Sequence, residues 1–254
     1  MYYLLSIIIA ALLTACAAQP HALYQYSSLN ALMEGVYDGQ LTIGELKRHG
    51  DTGLGTFNAL DGEMIIINGS AYQIKGDGTV TAAGDNIETP FADVVFFKSA
   101  KSFTVEREIS CDELQKMILQ SAPSSNIFYA VKIEGTFRHV RARAVRAQHK
   151  PYPRLIDAAK DQGVFDFNNV RGTASGFYFP DTFGGLSVGG FHIHFISDDR
   201  KSGGHLMSCE VTHATVDIDY LTDFLMELPK SGGIYGKTIG TAQQREVDLI
   251  EKGR

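Results

Sequence analysis

A chain of 254 residues, 44% hydrophobic, with 26 Gly and only 7 Pro, is long enough for a full hydrophobic core in one large or two modest domains. Its formal net charge of −6 excludes a nucleic-acid partner, because phosphate binding draws on clustered Lys and Arg. No low-complexity tract or composition shift marks a linker.

Residues 4–13 form an apolar run the length of a signal-peptide core, too short for a membrane-spanning helix of ~20 residues. Leu13-Thr14-Ala15-Cys16 follows, and small residues before a cysteine resemble the lipobox of bacterial lipoproteins. Met1-Tyr2-Tyr3 supplies no basic flank, a departure from that pattern. The resemblance implies export, a signal over residues 1–16 ending at a lipidated Cys16, and a short tether over 17–23. The membrane is then met only through a lipid anchor, on the periplasmic or the extracellular face. Cys111 and Cys209 remain, either as a disulfide or as two buried thiols. Neither stands beside a histidine as a nucleophile would.

Along the chain, Leu29, Leu32, Met33 and Val36 recur at helical spacing over residues 28–37, stopped by Asp38-Gly39. Thr42-Ile43-Gly44-Glu45 has the spacing of a capping box and predicts a short helix. From 53 to about 108 short strands alternate with turns, among them 63–67 before Asn68-Gly69 and 71–75 before Gly76-Asp77-Gly78. Ser110-Cys111-Asp112-Glu113 predicts a second capped helix with Leu114, Met117 and Ile118 on one face. Strands follow at 126–133 and 136–145. The basic stretch 138–146, on the second strand and just past its end, carries Arg138, Arg141, Arg143 and Arg146, either a solvated face or a site for a substrate carboxylate. Pro153 sits near the start of a helix ending at Gly163, and 165–179, 186–196 and 205–211 read as strands. Residues 217–227 read as a helix closed by Pro229, and 242–252 as a last helix. The expectation is an α+β fold with mixed or antiparallel sheets, scattered helices and two sheet-based subdomains.

Three of the 8 histidines fall in Phe191-His192-Ile193-His194-Phe195 and the following Gly203-Gly204-His205. On a strand, His192 and His194 share one face while Phe191, Ile193 and Phe195 take the other. A hairpin centred between Asp199 and Arg200 sets His194 directly opposite His205, with Cβ atoms ~5 Å apart. Three converging imidazoles are the ligand set of a catalytic zinc with an open fourth position, zinc standing ahead of iron, manganese or copper because imidazole suits several metals. The cupins also use a His-x-His strand, but their later acid and final histidine fall elsewhere.

The segments Gly190-Phe191-His192-Ile193-His194-Phe195, Gly203-Gly204-His205, Leu60-Asp61-Gly62-Glu63-Met64, Lys150-Pro151-Tyr152-Pro153 and Ser187-Val188-Gly189-Gly190 resemble the acetolactate decarboxylases. The resemblance runs from about Tyr24 to the C-terminus, so residues 24–254 form the expected catalytic domain. It implies conversion of (S)-2-acetolactate to (R)-acetoin and carbon dioxide by a zinc enzyme that is a homodimer. Matched to the family, His192, His194 and His205 are the metal ligands, and Glu63 is a glutamate at the metal. Arg143 is the arginine facing the substrate, Glu251 a second acid, with Glu246 and Asp248 close by, and Thr56 a further lining residue. In that chemistry zinc takes up the developing charge, the arginine holds the carboxylate, and Glu63 or Glu251 delivers the proton. The alternatives are another zinc-dependent lyase or isomerase on a small oxo acid, or a non-catalytic zinc-binding lipoprotein.

Overall fold

Two β-sheets meet face to face in the computed structural model, which describes residues 21–240 and 244–251, the side chains of 244 and 251 excepted. The apolar run at 4–13 and Cys16 lie outside the described residues.

The first sheet has seven strands in the order Phe224–Glu227, Leu23–Tyr26, Ala92–Val95, Thr52–Thr56, Glu63–Ile67, Ser70–Ile74, Val80–Ala82. Only the outermost pair, Leu23–Tyr26 with Phe224–Glu227, is parallel. Glu63–Ile67 is buried along its whole length, which its unbroken Met-Ile-Ile-Ile run requires of a strand covered on both faces. It turns into Ser70–Ile74 through Asn68 and Gly69, both left-handed (φ 50° and 76°), the two-residue hairpin that Asn-Gly favours.

The second sheet is built on Phe128–Ala144, Gly163–Phe179, Gly190–Ser197 and Gly203–Leu221. Each pairs antiparallel with the next, and residues 194–196 also pair with 203–205, so the four strands close on themselves. Closure removes the edge and encloses one apolar cluster holding Val131, Ile133, Phe137, Val140, Ile193 and Phe195. Helix Cys111–Ser121 adds Leu114 and Ile118 to that cluster. Its N-cap is Ser110, whose hydroxyl oxygen accepts from the Glu113 amide. Cys111 is disulfide-bonded to Cys209, which ties the helix to a strand 98 residues away.

Local pattern and structure part in three places. The strand expected to break near Gly135 runs without interruption from Phe128 to Ala144. A Cβ on Gly135 would lie 2.1 Å from the His213 carbonyl oxygen, so this glycine permits a close strand approach and makes no turn. The helix expected over 217–227 is instead the end of Gly203–Leu221 followed by strand Phe224–Glu227. Ala214, Val216 and Ile218 are buried at period two, and pairing with both Phe128–Ala144 and Lys101–Val105 fixes them as strand. The first helix is shorter than its apolar spacing suggests, Leu29–Met33, with Ser28 as N-cap.

Between the sheets, the loop at 184–189 leads into Gly190–Ser197 and is fastened by buried polar groups. Gln25 Nε2 donates to the carbonyl oxygens of Ser27 and Leu186, and Ser187 Oγ donates to Asp93 Oδ2 at 3.1 Å. Asp93 is fully buried, and loss of hydration pushes its carboxyl up to about 8, against a smaller opposing effect of the Ser187 bond. The native state therefore keeps a proton that the unfolded chain releases near pH 4. Stability from this group is complete below pH 4 and lost as pH rises through about 8, at up to about 1.4 kcal/mol per pH unit. Replacing Asp93 by Asn should remove that slope and make the protein more stable than the parent above pH 8. Urea midpoints at pH 5 and 8.5 measure this, and an unchanged pH dependence in the variant would refute it.

Candidate active site

The site lies where the closed sheet faces the first sheet. Ser197 Oγ and the Lys201 amide both donate to Asp199 Oδ1, and the Ser197 amide donates to the Ser202 carbonyl oxygen, closing the tip of the hairpin. Its register sets His194 opposite His205, Phe195 opposite Gly204 and Ile196 opposite Gly203, the pairing expected from a centre between Asp199 and Arg200. Ile193 and Phe195 enter the apolar cluster, so His192 and His194 point the other way.

The three imidazoles form a near-equilateral triangle, with ring centroids 5.1, 5.0 and 5.3 Å apart. One ring nitrogen of each lies within 4.8 Å of the others, and all three residues are buried. His194 Nδ1 lies 2.7 Å from the Met64 carbonyl oxygen. A carbonyl only accepts, so Nδ1 carries the hydrogen and the Nε2 lone pair points into the cluster. Burial, and then the Arg143 charge, hold the His192 ring down to about 3, and burial with the neighbouring His192 keeps His194 well below its ordinary value. Both are neutral near pH 7, the form that binds a metal. Buried and convergent, the three ring nitrogens could hold a metal ion.

Two further strands complete the polar corner. Arg143, near the end of Phe128–Ala144, is the cross-strand partner of His205. Glu63 opens its strand opposite Thr56. Arg143 Nη1 donates to Glu63 Oε1 at 3.0 Å, a buried ion pair joining the two sheets, and Glu63 Oε2 lies 3.6 Å from His194 Nε2. Thr56 Oγ1 donates to the Gly62 carbonyl oxygen at 2.7 Å, bracing the turn before Glu63. In that turn Ala59 and Leu60 are both left-handed (φ 60° and 56°), a strained conformation for two side-chain-bearing residues in succession.

A cavity of about 410 Å³, its mouth included, opens on this corner. Thr56, Glu63, Arg143 and His192 supply its polar side, and Leu29, Leu32, Leu60, Phe91, Val145, Leu155 and Ile250 its apolar side. Six of the expected residues, Thr56, Glu63, Arg143, His192, His194 and His205, are thus brought together. The side chain of Glu251 lies outside the described residues. Its backbone ends helix Gln244–Glu251, one residue beyond the wall residue Ile250. Glu246 is bound elsewhere, by Arg154. The apolar wall had no sequence signal, because its leucines and phenylalanine look like any core residues.

The profile of the alpha-acetolactate decarboxylase family matches residues 23–239. An alpha-acetolactate decarboxylase of Methanosarcina mazei is 44% identical over 91% of this chain and 80% of its own length. One of Methylococcus capsulatus is 41% identical over 92% of this chain and 90% of its own. A crystal structure of alpha-acetolactate decarboxylase from Bacillus subtilis superposes with a TM-score of 0.89 at 35% identity, covering 91% of this chain and 99% of that one.

After exposure to zinc and dialysis, the protein should retain about one ion per chain by atomic absorption. His194→Ala or His205→Ala should lower that content at least tenfold, whereas Arg143→Ala should keep it. Full retention in either histidine variant would rule out the triad as the metal centre.

Proposed function

The chain belongs to the alpha-acetolactate decarboxylase family, whose members are carboxy-lyases, and from that premise we propose that it converts (S)-2-acetolactate to (R)-acetoin and carbon dioxide with zinc held by His192, His194 and His205. One observation carries the reading. A buried Arg–Glu ion pair and His192, one corner of the buried histidine triad, border the same small, half-apolar pocket.

When bound, zinc supplies an electrophile that takes up negative charge developing next to the breaking bond. The protein's own residues do the rest. Arg143 is the buried cation of the pocket and receives the substrate carboxylate, whose paired oxygens fit a guanidinium fork. Holding the carboxylate there sets the bond to be broken at a fixed angle to the neighbouring ketone. The apolar wall of Leu60, Phe91, Val145 and Ile250 accommodates the two methyl groups and keeps water out while charge is present. The proton that replaces carbon dioxide comes from a carboxyl on one side of the pocket, which fixes the handedness of acetoin. Glu63, with Oε2 turned toward His194, is the acid on the pocket wall, and Glu251 is the second acid in this proposal.

The zinc-loaded protein should release R-acetoin from racemic 2-acetolactate, read by chiral chromatography, with activity lost after chelation. Arg143→Ala and Glu63→Gln should each lower kcat/KM by about 10²-fold or more while zinc stays bound. Folded, zinc-bound parent protein that forms no acetoin would overturn the reading in favour of another lyase or a zinc binder.

We also propose an exported, Cys16-anchored homodimer. The Cys111–Cys209 disulfide suits an oxidising compartment, and Leu225 on the outer strand of the seven-stranded sheet and Leu228 just past its end are half exposed. Intact mass of membrane-extracted protein should show an acylated N-terminal Cys16, and light scattering a dimer mass. An unmodified Met1 terminus or a monomer mass would defeat the corresponding half of this proposal.

A further inference from the structure

The pocket is closed on one side by the terminal helix Gln244–Glu251, through Ile250. Eight residues are too few to hold a helix in water alone, so this one depends on what it touches. Val247 and Ile250 are buried against an apolar cluster that includes Leu29, Leu32 and Leu155. The other attachment is ionic. Arg154 Nη1 and Nη2 donate to Glu246 Oε1 and Oε2 at 3.3 and 3.0 Å, a two-pronged pair, and its Nε and Nη2 donate to Glu34 Oε1 at 3.3 and 3.0 Å.

The positions of these three residues give the contact its meaning. Arg154 is the residue before helix Leu155–Ala158, and Glu34 caps the end of helix Leu29–Met33. Leu29, Leu32 and Leu155 line the pocket together with Ile250. A single guanidinium therefore joins the three helices that supply Leu29, Leu32, Leu155 and Ile250 to the apolar wall. Both carboxylates are about one-quarter exposed and the Arg154 side chain is 41% exposed, so the contact sits at a partly solvated edge where water and salt screen it. Without the cation, two carboxylates face each other at that point and repel.

We propose that Arg154 is a positioning residue for the decarboxylation: its clasp on Glu34 and Glu246 seats the terminal helix over the pocket, holding Ile250 in the wall and bringing the helix end at Glu251 to the site. This inference rests on the decarboxylase reading. With the clasp released, the helix lifts, water enters, and the proton reaches either face of the product.

The test compares the zinc-loaded full-length parent with Arg154→Gln and Glu246→Gln, using hydrogen exchange of peptic fragments, kcat and KM, and the enantiomeric composition of acetoin. In Arg154→Gln, exchange over 245–251 should rise at least tenfold with the two sheets unchanged, kcat should fall about tenfold, and acetoin should move toward a racemate. Glu246→Gln should show the same changes more weakly. Adding Glu34→Gln and Glu246→Gln to Arg154→Gln removes the repulsion and should restore part of the slow exchange. Unchanged exchange over 245–251 in Arg154→Gln overturns the clasp. Faster exchange with parent-like kcat and enantiomeric purity overturns the positioning role. If Arg154→Gln raises exchange everywhere, Glu246→Gln decides by the same criteria. A parent that makes no acetoin refutes the reaction and the positioning role with it, while the exchange comparison still decides whether Arg154 holds the helix.

Discussion

One hydrogen bond carries the geometry of the site: His194 Nδ1 to the Met64 carbonyl oxygen, 2.7 Å, crossing from the closed sheet to the seven-stranded one. An imidazole on a strand rotates about two side-chain torsions, and nothing in the strand itself selects which nitrogen is protonated. The bond to Met64 selects both, so the lone pair of Nε2 faces His192 and His205. It also couples the histidine cluster to Glu63, because Met64 follows Glu63 on the same strand. A slip of one residue in Glu63–Ile67 would turn the Glu63 side chain to the opposite face and withdraw the carbonyl together. The pairings Glu63 with Thr56 and Glu63 with Ile74 guard against that slip from both sides.

What could be read from the chain alone follows from the range of the interactions involved. The convergence of the histidine hairpin was legible because His192, His194 and His205 lie within fourteen residues, and strand alternation with a polar turn fixes it. The capping box of Thr42 and Glu45 was legible for the same reason, and its reciprocal bonds are present. The Arg143–Glu63 pair spans 80 residues and two sheets, and no periodicity announces it. Only the likeness of the surrounding segments to known decarboxylases pointed there. Helical spacing misread residues 217–227 because strands on both sides, 128–133 and 101–105, impose an extended chain on a sequence with ambiguous periodicity. The Glu134-Gly135 step was misread because a glycine that admits a neighbouring carbonyl has the same letter as one that turns.

Arg143 presents an energetic puzzle whose answer bears on the chemistry. It stands directly across from His205 in register, and its positive charge helps hold the His192 ring neutral. Placing a buried cation next to a cluster shaped for a second cation is unfavourable in isolation. Glu63 offsets one positive charge through its 3.0 Å bond to Arg143. With a divalent ion among the histidines, the pocket still carries a positive excess, and a small anionic substrate is the natural complement.

That excess also favours one outcome once the substrate is bound. Carbon dioxide leaves as a neutral molecule, so the negative charge that entered with the carboxylate stays on the remaining fragment until a proton arrives. In the proposed reaction, a pocket whose excess comes from the metal ion beside the Arg143–Glu63 pair would favour that charge-bearing fragment more than a neutral environment, and the burial of Arg143, Glu63 and His192 limits the water that would dilute the effect. In the proposed reaction the apolar wall, which includes Leu29 and Ile250, would do more than fit methyl groups. By lowering the local dielectric it strengthens the electrostatic contrast between the charged fragment and the departing gas, so the hydrophobic and ionic halves of the pocket act on the same step.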